Sequence, residues 1–494
     1  MPFYPTESIK YTDFRQSCRA FKPSELLPLI AATSADTAKI DDRDSYIHTL
    51  PPWGLAAAAR ESILSGNELR SKPATLFELR GLMERFKTVH DVTHEDIDDI
   101  WFPVKLLTGY AFEQVPFSHS TFYDLCRSYS IFVDGPRRAK TKIIDDAAMR
   151  EIFDGHALTT VISSAFLIYV GVLNNMGIFD VRWLTQDNFA SVREKFSVKC
   201  TADLLESMTS DIHSMRKDFK LVTGHDYCDE RFDYNPLISS PFVDLGSTPP
   251  ICPVPEYILR SITPEGIFYK GVRKFGSAFA DDLGSLFELY VGQQLQQIPN
   301  ALVYPEICID RKAGREKSVD WFVIFPDLVI LVEVKSTRMN REARMGKDET
   351  VQNLGRTIDK ARLQISRSLD SIINDVPEYG KIPKDRAFLG LIITAEPFPL
   401  WEGYLEASGG AFISDNYRED EPSSRRHPLT LASIRDLEEL ITHGDDVNQI
   451  IVELMKDKSF QALHIGNIAP SQTKKNGIVV DSWRKIFPDL SDGK

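Results

Sequence analysis

The sequence predicts a multidomain α/β protein in which a mainly α-helical N-terminal domain precedes an α-β-β-β-α-β core. Three observations carry this prediction. In the first half of the chain, apolar residues recur at helical spacing, as in residues 75–86. Residues 235–255 are dense in proline, which excludes a helix there. In the second half, short apolar runs typical of strands alternate with segments of helical period.

The length and the proline-rich segment predict the domain organisation. A chain of 494 residues is long enough for two or three domains, each with its own core. We expect a helical N-terminal domain, a stiff proline-rich linker, a second domain, and a C-terminal helical extension that ends in a loosely structured tail. The corresponding ranges are 1–234, 235–261, 262–441 and 442–494.

The elements of the second domain follow one another in a definite order. A helix, a strand, two strands joined by a tight turn, a long helix and an apolar strand are expected, and a further strand and helix follow them. Their ranges are 278–297, 302–309, 318–336, 348–373, 387–394, 429–434 and 435–442.

Composition and charge narrow the class of protein. The six cysteines are scattered without a C-x-x-C pair, which argues against a zinc ribbon or a disulfide framework and favours the reducing cytoplasm. The N-terminus lacks the profile of a signal peptide. The apolar residues 157–173 are too few for a bilayer span, so we expect a buried core helix and no membrane contact. A net charge of −13 does not suggest general polyanion binding, but a local basic patch is still compatible with it.

The most informative stretch is residues 318–336, SVDWFVIFPDLVILVEVKS, which reads as two strands joined at Pro326 and Asp327. Asp320 lies six residues before Pro326, and Glu333 lies six residues after Asp327. In a symmetric hairpin with a two-residue turn, these two positions face each other with Cβ atoms ~5 Å apart. Lys335 is two residues beyond Glu333 and therefore lies on the same face. Three charges on an apolar hairpin are costly to bury unless they are paired or bind a metal ion.

An aspartate followed about a dozen residues later by Glu-x-Lys on the other arm of a hairpin resembles the PD-(D/E)xK nuclease superfamily, which has the restriction-endonuclease-like fold. The resemblance covers residues 262–441. The literal Pro-Asp pair at Pro326 and Asp327 lies in the turn, ~20 Å of strand away from Glu333. The motif aspartate is therefore Asp320, preceded by Val319 where the family usually has proline.

The resemblance implies hydrolysis of phosphodiester bonds assisted by Mg²⁺ or Mn²⁺, with DNA favoured over RNA. Asp320 and Glu333 are expected to bind the metal ion together with the main-chain carbonyl of Val334. Lys335 is expected to orient the attacking water or to stabilise the developing negative charge.

Two further positions match the outer motifs of the family. Glu288, in the helix before the first core strand, is expected to reach the metal as a ligand or through water. Gln364, in the long helix after the hairpin, is expected to contact the phosphate or the attacking water, and Lys360 lies on the same face four residues earlier. Each position also has an ordinary interpretation, because an exposed glutamate and this spacing are common in any helix.

A basic run follows the hairpin directly. Residues 338–367 contain eight Arg and Lys against four Asp and Glu, which indicates either a solvated helix face or contacts with nucleic-acid phosphates. The expected nucleic-acid contacts are Arg338, Arg341, Arg344 and Lys360.

Two clusters in the N-terminal half have weaker functional interpretations. Residues 90–98 contain H-x3-H with carboxylates nearby, but a capped helix start is favoured over a metal site. Residues 137–142 are basic, and a solvated loop is favoured over a phosphate contact.

The sequence therefore predicts a Mg²⁺-dependent nuclease, most simply a DNA endonuclease, and by analogy a prokaryotic restriction or anti-phage defence effector. The N-terminal half would supply recognition, regulation or contacts with a second copy or a partner protein. Two alternatives stay open: a catalytically degenerate nucleic-acid-binding protein on the same fold, and a purely structural ion-pair cluster.

Overall fold

A mixed α/β architecture, rich in helix, is seen in a computed structural model of the chain. The structure describes residues 8–39, 47–90, 102–118, 121–227, 230–246, 249–311, 314–336, 338, 348–397, 412–413, 427–456, 471 and 474–488.

Helices dominate the first half of the chain, as its periodicity predicts. The segment predicted at 75–86 is a helix capped by Thr75, whose hydroxyl accepts a hydrogen bond from the Glu78 N–H at 3.3 Å. The helices are α1 (Tyr11–Cys18), α2 (Pro23–Thr37), α3 (Pro52–Ser65), α4 (Leu76–Lys87), α5 (Phe102–Ser118), α6 (Thr121–Tyr129), α7 (Gly135–Arg138), α8 (Asp146–Ile152), α9 (Leu158–Asn174), α10 (Ala190–Lys195), α11 (Val198–Ser207) and α12 (Ile212–Thr223).

The apolar helix α9 is a core helix, as expected from its length and its serines. Its residues Val161, Ile162, Ala165 and Ile168 are at most 1% exposed. Among the residues that the structure describes, none of the helices combines the length and the apolar character needed to cross a membrane.

The second half of the chain is built around one sheet. Its helices are α13 (Glu256–Arg260), α14 (Pro264–Phe275), α15 (Ser277–Leu295), α16 (Asp348–Ile373), α17 (Ile434–Ile441), α18 (Val447–Lys456) and α19 (Gly477–Ile486). After a short pair, β1 (Thr209–Asp211) and β2 (Phe242–Asp244), the strands are β3 (Leu302–Pro305), β4 (Cys308–Arg311), β5 (Gly314–Lys317), β6 (Trp321–Ile324), β7 (Leu328–Lys335), β8 (Ala387–Thr394), β9 (Phe412–Ile413) and β10 (His427–Ser433).

The sheet has the strand order β3-β6-β7-β8-β10-β9 and mixes both pairing directions. Strand β6 is antiparallel to both β3 and β7, whereas β8 pairs in parallel with β7, and β10 pairs in parallel with β8. The parallel step from β7 to β8 passes through α16, because a parallel connection needs a long crossover. β7 is therefore a central strand, with an antiparallel partner on one side and a parallel partner on the other.

Alternation of side chains along the strands gives the sheet two apolar faces. Val323 and Ile330 belong to the core that contains Phe287 of α15. Phe322 and Leu331 belong to a second core, which α16 covers. Because both faces are covered, β7 is apolar along most of its length, as buried strands are.

The predicted linker at 235–261 is not a stiff surface segment. Phe242 and Cys252 are fully buried, and β2 pairs in parallel with β1. The prediction failed because proline density excludes a helix without excluding burial, and pairing with a strand distant in sequence leaves no local signal. The expected break between residues 1–234 and 262–441 is also absent among the described residues, since one core joins Leu125 of α6 to Leu286 of α15.

Two local predictions of the second half are corrected. The strand expected at 302–309 is divided into β3 and β4, because β4 turns away to pair with β5 in a separate hairpin. The tail expected to be loosely structured contains α19, whose Trp483 ring lies 5.4 Å from the Phe166 ring of α9. Phe487, directly after α19, is 4% exposed, so this part of the tail belongs to the core.

Candidate metal and catalytic site

The hairpin formed by β6 and β7 has the register that the sequence predicts. Trp321 pairs with Val332, and the Phe325 N–H donates to the Leu328 carbonyl at 2.8 Å, which closes a two-residue turn. One step beyond Trp321 and Val332, this register brings Asp320 opposite Glu333.

Asp320 and Glu333 occupy the type of pair in which side chains approach each other most closely. In an antiparallel ladder, every second pair exchanges backbone hydrogen bonds. Counting from Phe325 and Leu328, the pair of Asp320 and Glu333 is one of the non-hydrogen-bonded pairs, whose Cα atoms are typically ~4.5 Å apart.

The backbone pairing of β6 with β7 ends at Trp321 and Val332. Beyond it, the carboxylate of Asp320 accepts a hydrogen bond from the backbone of β7. The Val334 N–H donates to Asp320 Oδ2 at 2.7 Å. In an extended strand the N–H and C=O of one residue point to the same side, so the Val334 carbonyl is directed toward the Asp320 side. This orientation is compatible with the expected role of that carbonyl as a metal ligand.

Glu333 and Lys335 lie on the same face of β7, as their spacing predicts. Glu333 is 1% exposed, and its Oε1 accepts a hydrogen bond from Lys335 Nζ at 2.6 Å. The other carboxylate oxygen, Oε2, is buried and has no hydrogen-bond partner among the described residues. An orphaned buried carboxylate oxygen is costly, which indicates that the site is built for a further ligand.

Glu288 belongs to α15, the helix that packs against the start of β6. The Trp321 indole N–H donates to the Glu288 carbonyl at 3.2 Å, which ties α15 to the start of β6. Gly292, one turn later, permits this contact, because a Cβ there would lie 2.0 Å from the Trp321 ring. The partly exposed Glu288 side chain is electrostatically coupled to Asp320 and Lys335.

A fourth carboxylate, Glu306, was missed by the sequence analysis. Pro305 of β3 pairs with Trp321, so the next step of this register brings Glu306 opposite Asp320. Glu306, Asp320 and Glu333 thus form a row across β3, β6 and β7. Lys317, at the end of β5, lies 3.0 Å from Glu306. The sequence shows that Glu306 comes directly after a predicted strand. It does not show that β3 pairs with β6, because the hairpin of β4 and β5 lies between them along the chain.

Burial and mutual repulsion raise the pKa values of this cluster. Burial, with added repulsion from Asp320, raises the pKa of Glu333 to about 8 despite the contact with Lys335. Burial and the Asp320 charge also raise the pKa of Glu288 to about 7. The pKa of Asp320 is raised mainly by burial, against the lowering effect of the Val334 N–H. Carboxyl groups with pKa values near neutrality in one cluster are typical of functional sites.

Gln364 contacts the segment just before Asp320 and is already hydrogen-bonded there. Its amide donates to the Ser318 carbonyl at 2.8 Å, and one turn later Ser368 Oγ accepts from the Val319 N–H at 2.9 Å. These bonds fix the segment that leads into Asp320. Gln364 thus contacts the backbone before Asp320, and Lys360, one turn earlier, is exposed.

The basic residues expected to bind nucleic acid behave differently from one another. The Arg338 side chain is 5% exposed, lies 3.7 Å from Glu396, and stacks over the Phe268 ring at 4.4 Å from its centroid. This burial is at odds with the expected phosphate contact of Arg338. Arg341 and Arg344 lie outside the described residues. Of the H-x3-H cluster, His90 is exposed, and residues 91–98 lie outside the described residues.

A buried polar network joins the two halves of the chain behind the site. Glu438 of α17 accepts from Arg127 Nε of α6 at 2.8 Å and from the Tyr290 hydroxyl of α15 at 2.6 Å. Gln294 donates to the Tyr290 hydroxyl at 2.8 Å. The helix that carries Glu288 is therefore anchored to the N-terminal half by charged hydrogen bonds.

The donor set has the oxygen ligands that a hard divalent cation takes, although in the structure the carboxylates are not gathered around one point. In the part of the chain that the structure describes, no three His, Cys, Asp or Glu side chains stand in metal-binding geometry. Lys335 instead holds the Glu333 carboxylate from one side. The orphaned Glu333 Oε2 and the other carboxylate oxygens are the type of ligand that Mg²⁺ or Mn²⁺ takes.

Comparison of the chain with models of known protein families and with characterised proteins gives no match. The assignment of a function therefore depends on the geometry of the hairpin and of the residues around it.

Proposed function

We propose that this protein is a Mg²⁺-dependent nuclease that hydrolyses phosphodiester bonds, with DNA as the preferred substrate. The observation that carries the proposal is the position of Asp320 opposite Glu333, with Lys335 on the same strand face and Glu333 Oε2 buried without a donor. A purely structural ion-pair cluster would be expected to leave no buried carboxylate oxygen unpaired.

The order of elements supports the same proposal. A helix bearing a carboxylate, α15, is followed by β3, the β6–β7 hairpin, the crossover helix α16 and the parallel strand β8. This order resembles the core of the restriction-endonuclease-like fold, with the separate hairpin of β4 and β5 as an addition. The resemblance supports the reaction class, while the chemistry must be argued from the residues.

Each residue of the site has a distinct task. Asp320 uses one oxygen to accept the Val334 N–H, which orients its carboxylate and leaves the other oxygen available to a cation. Glu333 offers its buried Oε2, and Glu288 approaches from α15. Bound Mg²⁺ would supply charge neutralisation on the phosphate and lower the pKa of a bound water.

Lys335 changes partner in this proposal. In the structure its Nζ lies 2.6 Å from Glu333 Oε1. With Glu333 serving as a ligand to a metal ion, Lys335 would be able to donate a hydrogen bond to a phosphate oxygen or to the attacking water. Gln364 holds the backbone before Asp320 and keeps this geometry in place.

The proposal is tested by incubating the purified protein with plasmid, linear DNA and RNA in Mg²⁺, Mn²⁺ or chelator. We expect DNA cleavage that requires the metal ion and is lost in Glu333→Ala. Binding of DNA to the same extent with Mg²⁺ and with chelator, without any cleavage, would instead identify a binding protein on a degenerate site. Full cleavage by Glu333→Ala would overturn the assignment of the site.

A further inference from the structure

A second site lies in the N-terminal half, away from the carboxylate cluster. It is a cavity of about 820 Å³, which is within the range of pockets that hold small molecules. Helices α3, α5, α11 and α14 and the residues around 231–239 form its walls. None of the four carboxylates of the hairpin site lines it.

Part of the cavity wall is aromatic. Trp53, Tyr234 and Tyr257 line it together with Phe117 and Phe153. Burial raises the pKa of Tyr257 to about 12, so its hydroxyl group stays protonated and can donate a hydrogen bond. Walls of this kind suit a planar ring with polar edges.

Several charged groups of the cavity are already paired and shape its wall. Arg231 lies 2.8 Å from Glu113, and Arg260 lies 3.1 Å from Glu265. Arg60 donates to the carbonyls of Arg231 and Asp233 at 3.0 Å and 2.5 Å. The contacts of Arg60 hold the backbone around residue 231 in place. Arg60, Arg231 and Arg260 therefore already have partners.

Two cationic side chains of α14 line the cavity without being part of these ion pairs. Lys270 and Arg273 line the cavity one helical turn apart, and within the described part of the chain neither forms an ion pair. Lys270 lies over the Phe153 ring at 4.8 Å from its centroid. Burial lowers the pKa of Lys270 to about 8, with Arg273 lowering it further and Asp154 opposing this. Lys270 is partly buried, whereas Arg273 is exposed at the edge of the cavity. Two cations one turn apart repel each other, and a bound anion would offset that cost.

We propose that this cavity binds a small phosphate-bearing molecule with an aromatic ring, of the mononucleotide class. Lys270 and Arg273 bind the phosphate group, and the aromatic wall with Trp53 and Tyr257 packs against the ring. The site is independent of the hairpin, so a failure of the nuclease proposal would leave it untouched.

The test is calorimetric titration of the full chain with AMP, GMP, CMP and UMP separately, in the absence of divalent metal. We expect at least one of the four to bind, and its nucleoside and inorganic phosphate each to bind at least about tenfold more weakly, because each lacks one half of the contacts. Quenching of Trp53 fluorescence should accompany binding and be absent in Trp53→Phe.

The double variant Lys270→Met, Arg273→Met should weaken nucleotide binding by at least about tenfold, since it removes both cations. Lys217→Met, at an exposed position outside the cavity wall, is the matched control and should bind as the unaltered protein does. The single variant Arg273→Ala, at an exposed position, serves if the double variant does not fold. Absence of binding for all four nucleotides, or equal binding by the cation variants, would overturn the proposal.

Discussion

The carboxylate of Asp320 accepts a hydrogen bond from the main-chain N–H of Val334 on the opposite arm of the hairpin, at 2.7 Å. This bond replaces the backbone pairing that would otherwise continue the ladder. It holds the carboxylate of Asp320 beside the strand that carries Glu333, and the catalytic proposal depends on this relationship.

On the proposed function, Asp320→Ala should lower the cleavage rate by at least about 100-fold, because it removes a proposed metal ligand and the hydrogen bond to Val334. Asp327→Ala is the matched control, since this aspartate belongs to the literal Pro-Asp pair in the turn and contacts Asn448 at 2.9 Å. Initial rates on plasmid DNA measure both variants. A larger loss in Asp327→Ala than in Asp320→Ala would contradict the assignment.

Glu333 should make the metal-free protein less stable as the pH rises. Its pKa in the folded protein is about 8, above the ordinary value of 4.5, so the folded state holds a proton that the unfolded state releases. The stabilising contribution is fully present below pH 4.5 and is lost as the pH rises toward 8.

Glu333→Gln should therefore raise the melting temperature at pH 8 by about 2 °C or more and flatten its dependence on pH, while abolishing cleavage. Thermal unfolding in chelator between pH 5 and 8.5 measures this effect. A variant with the same slope as the unaltered protein would show that burial of the Glu333 charge is not what limits stability.

Lys335→Met should lower kcat by about 100-fold and leave KM for DNA nearly unchanged, because the proposal assigns the ammonium group to charge that develops during the reaction. It should also strengthen Mg²⁺ binding, since it removes an ammonium group that lies 2.6 Å from the Glu333 carboxylate, competes for it and repels a divalent cation. Steady-state kinetics and metal titration measure the two effects. Lys381→Met, on the exposed surface, should change neither.

Glu438→Gln should destabilise the protein by about 3 kcal/mol, because it leaves the buried Arg127 without a full counter-charge and weakens the link to Tyr290. Asp375→Asn, in the exposed pair with Lys384, is the matched control and should cost less than about 1 kcal/mol. Urea unfolding followed by circular dichroism measures both. Equal costs in the two variants would show that this network does not stabilise the junction of the two halves.

Arg338 and Lys360 should differ in how they affect the salt dependence of DNA binding. Lys360→Ala, at an exposed position, should reduce the slope of log K against log salt by about 1 if it contacts a phosphate. Arg338→Ala should leave this slope unchanged and lower stability, since the side chain packs on Phe268. Binding isotherms at several salt concentrations, in chelator, separate the two roles.

The sequence by itself determined the elements and contacts that depend on neighbouring residues. Side-chain alternation and a two-residue turn were enough to bring Asp320 opposite Glu333 and to put Lys335 on the same face. Helical period was enough to locate α4, α9 and α16 to within a few residues. These predictions held because they concern residues close to one another along the chain.

Only the tertiary structure decided the contacts between distant segments. Glu306 enters the carboxylate row because β3 pairs with β6 across an inserted hairpin, and the proline-rich segment is buried because β2 pairs with β1. Arg338 is buried against the ring of Phe268, which is about 70 residues away in sequence. No local period encodes such pairings, because their free energy comes from burial against partners that only the completed fold brings together.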